Sequence, residues 1–176
     1  NSSATMPVSN PATERQIGVV ALGNAVDVDA AVAAASRAFG SYSQTTKAER
    51  LTLLGRLLKA TQARFDDLAQ AMRMEMGAPI SMARDAHADA AVGHLQGFIV
   101  ALEQLHEREA LASGDIQLRE PIGVCGLITP WNWPMNQIAL KVIPALATGC
   151  TCVLKPSEHT PISAMIYAEI IHEADF

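Results

Sequence analysis

The run IGVCGLIT, Ile122 to Thr129, limits what this chain can fold into more than any other stretch. It is almost continuously apolar, the pattern of a strand covered on both faces rather than the alternation of a half-exposed one. A helix is expected from about Met135 to Ala147, closed by Gly149 at its C′ position. TCVLKP then reads as a second buried strand, and Pro161 opens a further helix at its first position. Strand, helix, strand, helix implies crossover connections and a parallel sheet, so the fold class is α/β.

Upstream of this unit the chain is mostly helical. Asn10-Pro11-Ala12-Thr13 marks a turn, and QIGVVALG reads as a short strand ending at Gly23. Asp27 can cap an Ala-rich helix running to about Phe39. Leu51, Leu54, Leu58, Thr61, Phe65, Leu68 and Met72 step by three and four, a long core helix with a possible break near Gln62. A coiled coil would use the same stripe, but Thr61 interrupts the seam and charges do not flank it regularly. Gly77-Ala-Pro79 ends this helix, and a third occupies roughly Ser81 to Leu105. DIQLREP, after Gly114, alternates Ile116 and Leu118 with polar neighbours, as on a half-exposed strand.

Composition excludes some functions. The net charge is −5 with acids and bases interspersed, whereas a nucleic-acid surface needs a basic patch or stripe. No apolar run reaches the length of about 18 residues that a membrane helix needs, and NSSATMPVSNPATERQ lacks the basic start and apolar centre of a secretory signal. Cys125, Cys150 and Cys152 form no CxxC and lie in apolar runs, so buried free thiols in a reducing cytoplasm are expected. His87 and His94 lie seven apart on one helical face, without a third ligand at a recognisable metal spacing; a solvated face and no metal are expected.

Ligands in open parallel sheets sit beyond the carboxyl ends of the strands. Two such ends are chemically loaded: Thr129-Pro130-Trp131-Asn132-Trp133-Pro134 and Lys155-Pro156-Ser157-Glu158-His159-Thr160-Pro161. Each carries two prolines, which fix φ and remove backbone donors. In the first loop Asn132 is a neutral amide that can donate to developing negative charge. In the second, Lys155 and Glu158 supply donors and acceptors three residues apart, a set able to grip the vicinal hydroxyls of a ribose. Simpler roles stay open: the tryptophans as plugs, Asn132 as a turn residue, Lys155 and Glu158 as a solvated pair beside a helix start. A glycine-rich GxGxxG turn is missing, since Gly123 and Gly126 fall inside the strand.

From Glu120 to Pro161 the sequence EPIGVCGLITPWNWPMNQIALKVIPALATGCTCVLKPSEHTP resembles the N-terminal half of the aldehyde dehydrogenase superfamily. It combines a P-W-N loop, a K-x-x-P-A-L-A-x-G helix and a K-P-S-E-x-T-P loop. NPATERQIGVVALGNAVDVDAAVAAA and EMGAP resemble earlier segments of that family, which extends the likeness through most of the chain. The resemblance implies a Rossmann-like cofactor-binding domain, incomplete here, preceded by long helices. Residues 1–106 and 122–176 would belong to the NAD-binding domain and 107–121 to a β-arm for oligomerisation, with the catalytic domain absent.

By the same resemblance the reaction is oxidation of a small-molecule aldehyde to a carboxylic acid with NAD, NADP remaining possible, through a cysteine adduct. Asn132 matches the asparagine that holds the oxyanion, and Lys141 a lysine assigned to a proton relay. Ile128, Thr129, Pro130 and Trp131 match backbone along the cofactor. Lys155, Ser157 and Glu158 match the K-P-S-E loop around the adenosine ribose, where Glu158 favours NAD by repelling a 2′-phosphate. Trp133, Gln137 and Leu140 match the substrate tunnel. A cytoplasmic homodimer or homotetramer is implied, with no nucleic-acid or membrane partner. The family's nucleophilic cysteine and general-base glutamate have no counterpart: none of the three cysteines falls where the nucleophile belongs. The chain begins without Met and ends at HEADF, so it is expected to be an inactive piece of a longer enzyme. The alternative is a non-catalytic homologue that binds a nucleotide or serves as an assembly subunit.

Overall fold

The computed structural model describes residues 3–176. The chain opens with an antiparallel hairpin, β1 (Thr5–Asn10) and β2 (Arg15–Ala21), bulged between Val8 and Ser9. The expected turn at Asn10 joins them: the Asn10 side chain accepts from the Ala12 amide at 2.9 Å, and its carbonyl accepts from Glu14 at 2.8 Å. β1 has no counterpart in the sequence reading. Its apolar residues are too few to signal a strand alone, and only Val8 is buried.

Helix α1 (Ala25–Tyr42) starts at Asn24, whose side chain accepts from the Val26 and Asp27 amides while Asp27 reaches back to the Asn24 amide. Asp27 is therefore the third helical residue of a capping box rather than the cap itself. The leucine stripe spans two helices, α2 (Lys47–Ala63) and α3 (Phe65–Met76), which meet at Arg64 with φ −101° and ψ 15°. The break falls two residues beyond Gln62 and does not rotate the stripe out of the core: Leu54, Thr61, Leu68 and Met72 are all fully buried. Thr61 satisfies its buried hydroxyl by donating to the Leu57 carbonyl at 2.7 Å. α3 ends at Gly77 in the left-handed region (φ 72°), where a Cβ would meet the Pro11 ring at 2.9 Å. Glycine thus serves both the helix cap and the seat of the hairpin.

The expected third helix is irregular at its start. A short turn α4 (Ile80–Met82) leads into a π-helical turn over Ala83–Ala88 and then α5 (Asp89–Gln104). A second hairpin follows, β3 (Arg108–Ala110) with β4 (Ile116–Leu118), both fully exposed rather than half-exposed. β5 (Val124–Ile128), α6 (Pro134–Ala147), β6 (Thr151–Lys155) and α7 (Pro161–Glu173) complete the chain. β5 and β6 pair in parallel from Val124↔Thr151 to Ile128↔Lys155, as the strand-helix-strand pattern predicts. Gly149 (φ 82°) lies one residue past the α6 cap, against the Pro121 ring.

The core is helical. Leu54, Leu57, Leu68, Met72, Leu95, Ile138, Ile143, Tyr167 and Ile170 from α2, α3, α5, α6 and α7 form one buried cluster. The two strands are only half-buried, against the expectation of burial on both faces. A sheet of two strands cannot fill the space between its helical layers. A groove lined by Ala35, Ala38, Tyr42, Leu146, Cys152 and Leu154 runs along it. Arg50, itself buried, ties the layers together by donating through Nε to the Ala147 carbonyl at 2.9 Å and pairing with Glu107 at the base of the second hairpin.

Candidate active site

Parallel pairing of β5 with β6 brings the two loaded loops side by side. The Thr129 amide donates to the Lys155 carbonyl at 3.3 Å, carrying the pairing one residue past β5. Thr129 is buried there, while Ile128, Pro130, Trp131 and Asn132 are exposed. Trp133 takes the N-cap position of α6 (φ −152°, ψ 72°) with Pro134 as the first helical residue. A proline costs nothing there, because the first amides of a helix have no partner in the helix. The remaining free amides make the start of α6 an electropositive end immediately after Asn132.

Trp133 is anchored from outside its loop. Its Nε1–H donates to the Ala86 carbonyl at 3.4 Å, and its ring meets His87 edge-on at 5.7 Å and 64°. Asn132 and Trp133 share a cavity of about 240 Å³ with Met76, Ala78, Met82, Ala86 and His87. The Gln137 amide donates to the Trp133 carbonyl at 3.0 Å. Leu140 is exposed, on the side of α6 opposite the buried Ile138 and Val142, and Lys141 is half-buried between the two sides. The structure therefore brings Asn132 and Trp133 into one cavity, while Gln137, Leu140 and Lys141 continue along the helix outside its walls.

The second loop is held by its own side chains. Lys155 Nζ pairs with Glu158 at 3.0 Å. The Glu158 carboxyl is held below the usual carboxylate range by its own backbone amide and by Lys155. Ser157 is buried; its hydroxyl accepts from the His159 amide at 3.2 Å, and its carbonyl accepts from Thr160 at 3.2 Å. Trp131, Glu158, His159 and Thr160 line a cavity of about 590 Å³ closed by Met6, Val8, Pro11 and Glu75.

One residue that sequence reasoning missed, Glu75, and two histidines that it placed in solvent shape this end of the molecule. Glu75 is buried and accepts from the Ile162 amide at 2.7 Å, the Ser163 amide at 3.1 Å and the Ser163 hydroxyl. It thus caps α7 from across the core, and burial raises its carboxyl above the usual range against the pull of the Ser163 and Ile162 hydrogen bonds. Nothing local in EMGAP signals this, because both partners lie almost ninety residues later. His87 is also buried, and His94 bonds to the Asn136 side chain at 2.7 Å. The expected solvated histidine face is thus turned inward, because it packs against the start of α6 rather than toward water.

Of the three cysteines, expected to be buried, only Cys150 is; Cys125 and Cys152 are half-buried because the two strands that carry them are only partly covered. Cys125 pairs with Cys152 near the amino ends of the strands, the end opposite Asn132, and Cys150 is buried just before β6. Burial pushes the Cys152 thiol up to about 11 and raises that of Cys125. Neither is an activated thiolate. Among the described residues no group of three or more His, Cys, Asp or Glu side chains could hold a metal ion. No described helix is long and apolar enough to cross a membrane.

The structure thus sets a proline-framed asparagine and a Lys–Glu pair on adjacent loops at the carboxyl ends of a parallel strand pair, the place where open α/β sheets bind ligands. The whole of residues 1–176 matches the aldehyde dehydrogenase family, and the chain belongs to that family. It is 49% identical over 167 residues to 3-succinoylsemialdehyde-pyridine dehydrogenase of a Pseudomonas species, covering 94% of this chain and 35% of the relative. The solved aldehyde dehydrogenase of Bartonella henselae superposes with a TM-score of 0.97 at 45% identity, over 100% of this chain and 38% of that one. Aldehyde dehydrogenase C of Pseudomonas syringae, solved as a mutant with NAD+ and octanal, superposes with a TM-score of 0.95 at 46% identity, over 98% and 36% of the two chains. The chain thus spans little more than a third of the relatives it matches.

Proposed function

We propose that this chain supplies the oxyanion-holding loop and part of the cofactor site of an NAD-dependent aldehyde dehydrogenase, which oxidises an aldehyde to a carboxylic acid. The observation that carries the reading is the register Ile128↔Lys155, which sets Asn132 and the Lys155–Glu158 pair at neighbouring strand ends. When bound, NAD would supply the hydride acceptor for oxidation of the substrate carbon. Lys155 and Glu158 would hold the adenosine ribose, the ammonium donating and the carboxylate accepting, with the Ile128 to Trp131 backbone running along the cofactor. Their donor and acceptor atoms suit a diol. Glu158 carries its charge at neutral pH, and that charge disfavours a 2′-phosphate. Two relatives are solved with NAD, while another is an NADP-dependent enzyme, so the preference for NAD rests on the Glu158 charge.

Asn132 donates its amide to the oxygen of the tetrahedral adduct formed when a cysteine attacks the aldehyde. The start of α6 adds its dipole at the same point. Trp133, with Gln137 and Leu140 beyond it, would line the path of the aldehyde, and Lys141 would relay protons behind the site. The placement of Cys125 and Cys152 toward the other end of the strands, and of Cys150 beneath the surface, supports a nucleophile other than these three. Residues 107–121 form the arm of an oligomer, a dimer or tetramer, presenting exposed Leu111, Ile116 and Leu118; the rest of the chain serves the NAD-binding domain. A cytoplasmic setting suits the free thiols.

The test is NADH formation by the complete enzyme across aliphatic, aromatic and semialdehyde substrates. NAD-dependent turnover of at least one class is expected. Failure with all of them, at any cofactor concentration, sinks the reading.

A further inference from the structure

The small cavity beside Asn132 has an unusual wall. Met76, Ala78, Met82 and Ala86 are apolar or contribute apolar atoms, and the Trp133 N–H is already committed to the Ala86 carbonyl. That leaves two polar side chains, Asn132 and His87. His87 is 3% exposed, yet its Nδ1 is buried without a hydrogen-bond partner. A native fold rarely leaves such an atom unpaired, because desolvating it is costly. The π-helical turn over Ala83–Ala88 is what sets His87 here. Such turns insert an extra residue into a helix and recur at functional sites.

We propose that His87 determines substrate specificity by donating a hydrogen bond to a neutral carbonyl oxygen on the tail of a short aldehyde. The inference rests on the Asn132 cavity being the aldehyde site. Asn132 is engaged by the reacting oxygen, so on the wall that this chain supplies His87 is the polar side chain left to meet a second polar atom of the substrate. Nδ1 is buried in this rotamer, so the imidazole must turn about its broad second torsion, against its packing on Trp133, to present it to a ligand. Burial lowers its proton affinity, so the ring is neutral and offers one N–H. This chain supplies no cation to the cavity wall, so a carboxylate tail held against it would be desolvated without compensation from these residues and a ketone would not. The volume of about 240 Å³ holds roughly eight non-hydrogen atoms at a water's share of about 30 Å³ each. The carbonyl therefore lies within a few bonds of the aldehyde carbon.

The experiment compares pentanal, 4-oxopentanal and 4-oxobutanoate as substrates of the complete wild-type enzyme and of its His87→Leu and His87→Gln variants. His87→Leu is expected to lower kcat/KM for 4-oxopentanal roughly ten-fold relative to pentanal, with His87→Gln restoring part of the loss. Equal losses for both aldehydes would mean that His87 only packs against Trp133, and would overturn the proposal. So would an unchanged ratio, or a wild-type preference for 4-oxobutanoate. Binding of 2-pentanone, followed by tryptophan fluorescence, separates this inference from the enzymatic reading. If wild type oxidises no aldehyde, weaker 2-pentanone binding by His87→Leu still supports His87 as a carbonyl donor, and equal binding removes it.

Discussion

The loops after β5 and β6 each run between two prolines, Pro130 and Pro134 in one and Pro156 and Pro161 in the other, but are held in different ways. The first, Thr129 to Trp133, makes almost no hydrogen bonds of its own. It is fixed by Pro130 and Pro134, by Thr129 pairing to Lys155, and by Trp133 resting on Ala86 and His87 of the π turn. The second, Lys155 to Thr160, closes on itself through Lys155–Glu158 and Ser157–His159, and Glu75 fastens the helix that follows it. A loop braced from outside leaves the amide of Asn132 uncommitted, which suits a group that must meet charge arising only during reaction. A loop folded on itself presents a fixed pattern of charge, which suits a ligand that is already polar when it arrives.

The largest effect should follow from removing the uncommitted amide. Asn132→Ala is expected to lower kcat by roughly 10²- to 10³-fold, about 2.7–4 kcal/mol of lost oxyanion stabilisation. KM for NAD should stay close to wild type, since the second loop is untouched. Steady-state kinetics of the complete enzyme check both. An unchanged kcat with hydride transfer rate-limiting would make the first loop a plug rather than a catalytic element.

A smaller effect tests the brace of the second loop. Glu75→Ala leaves the Ile162 and Ser163 amides unpaired in a buried place, a loss of about 1–3 kcal/mol in unfolding free energy. The sign of its pH dependence is also fixed. Burial raises the folded-state value of Glu75 above the ordinary value of 4.5, so folding favours the protonated acid. Its contribution is complete below that ordinary value and is lost as pH rises through the raised one. Wild type should therefore lose ground to Glu75→Gln, which carries no titrating group, across that window. Urea midpoints of both proteins at a series of pH values measure it. A gap that widens in favour of wild type as pH rises would show that the three hydrogen bonds outweigh burial.

The difference between the loops also explains what was legible in the sequence. Periodicity exposed the leucine stripe, because side chains three and four apart must share a helical face whether or not the helix breaks at Arg64. The parallel pair was readable because apolar strand runs alternate with a helix of crossover length. The second loop was largely readable too, since Lys155 and Glu158 are near neighbours. What holds the first loop was not: His87 precedes Trp133 by almost fifty residues, and its burial depends on a π turn that no local pattern announces. The histidines looked solvated because helical spacing tells which residues share a face, not which way that face points. Strand burial was overread for a related reason. An apolar run records the covering a strand is suited to, and in these two strands α1, α6 and α7 leave part of it open.

The smallest effect concerns the charge that the second loop displays. Glu158 and Lys155 are both well exposed, so their ion pair adds little to stability. Its use, on the proposed reading, lies in recognition. Glu158→Gln keeps the shape and an acceptor for a ribose hydroxyl but removes the negative charge that meets a 2′-phosphate. The variant should bind NAD somewhat more weakly and NADP more tightly, shifting the ratio of their kcat/KM values several-fold toward NADP, with kcat on NAD nearly unchanged. Lys155 stays in place and, without its partner, becomes a free cation beside the incoming phosphate, so the shift should be larger at low salt and shrink as ions screen it. A ratio that does not move at any salt concentration would take Glu158 out of the ribose site. The second loop would then be a self-contained turn, and the contrast with the first would be one of structure alone.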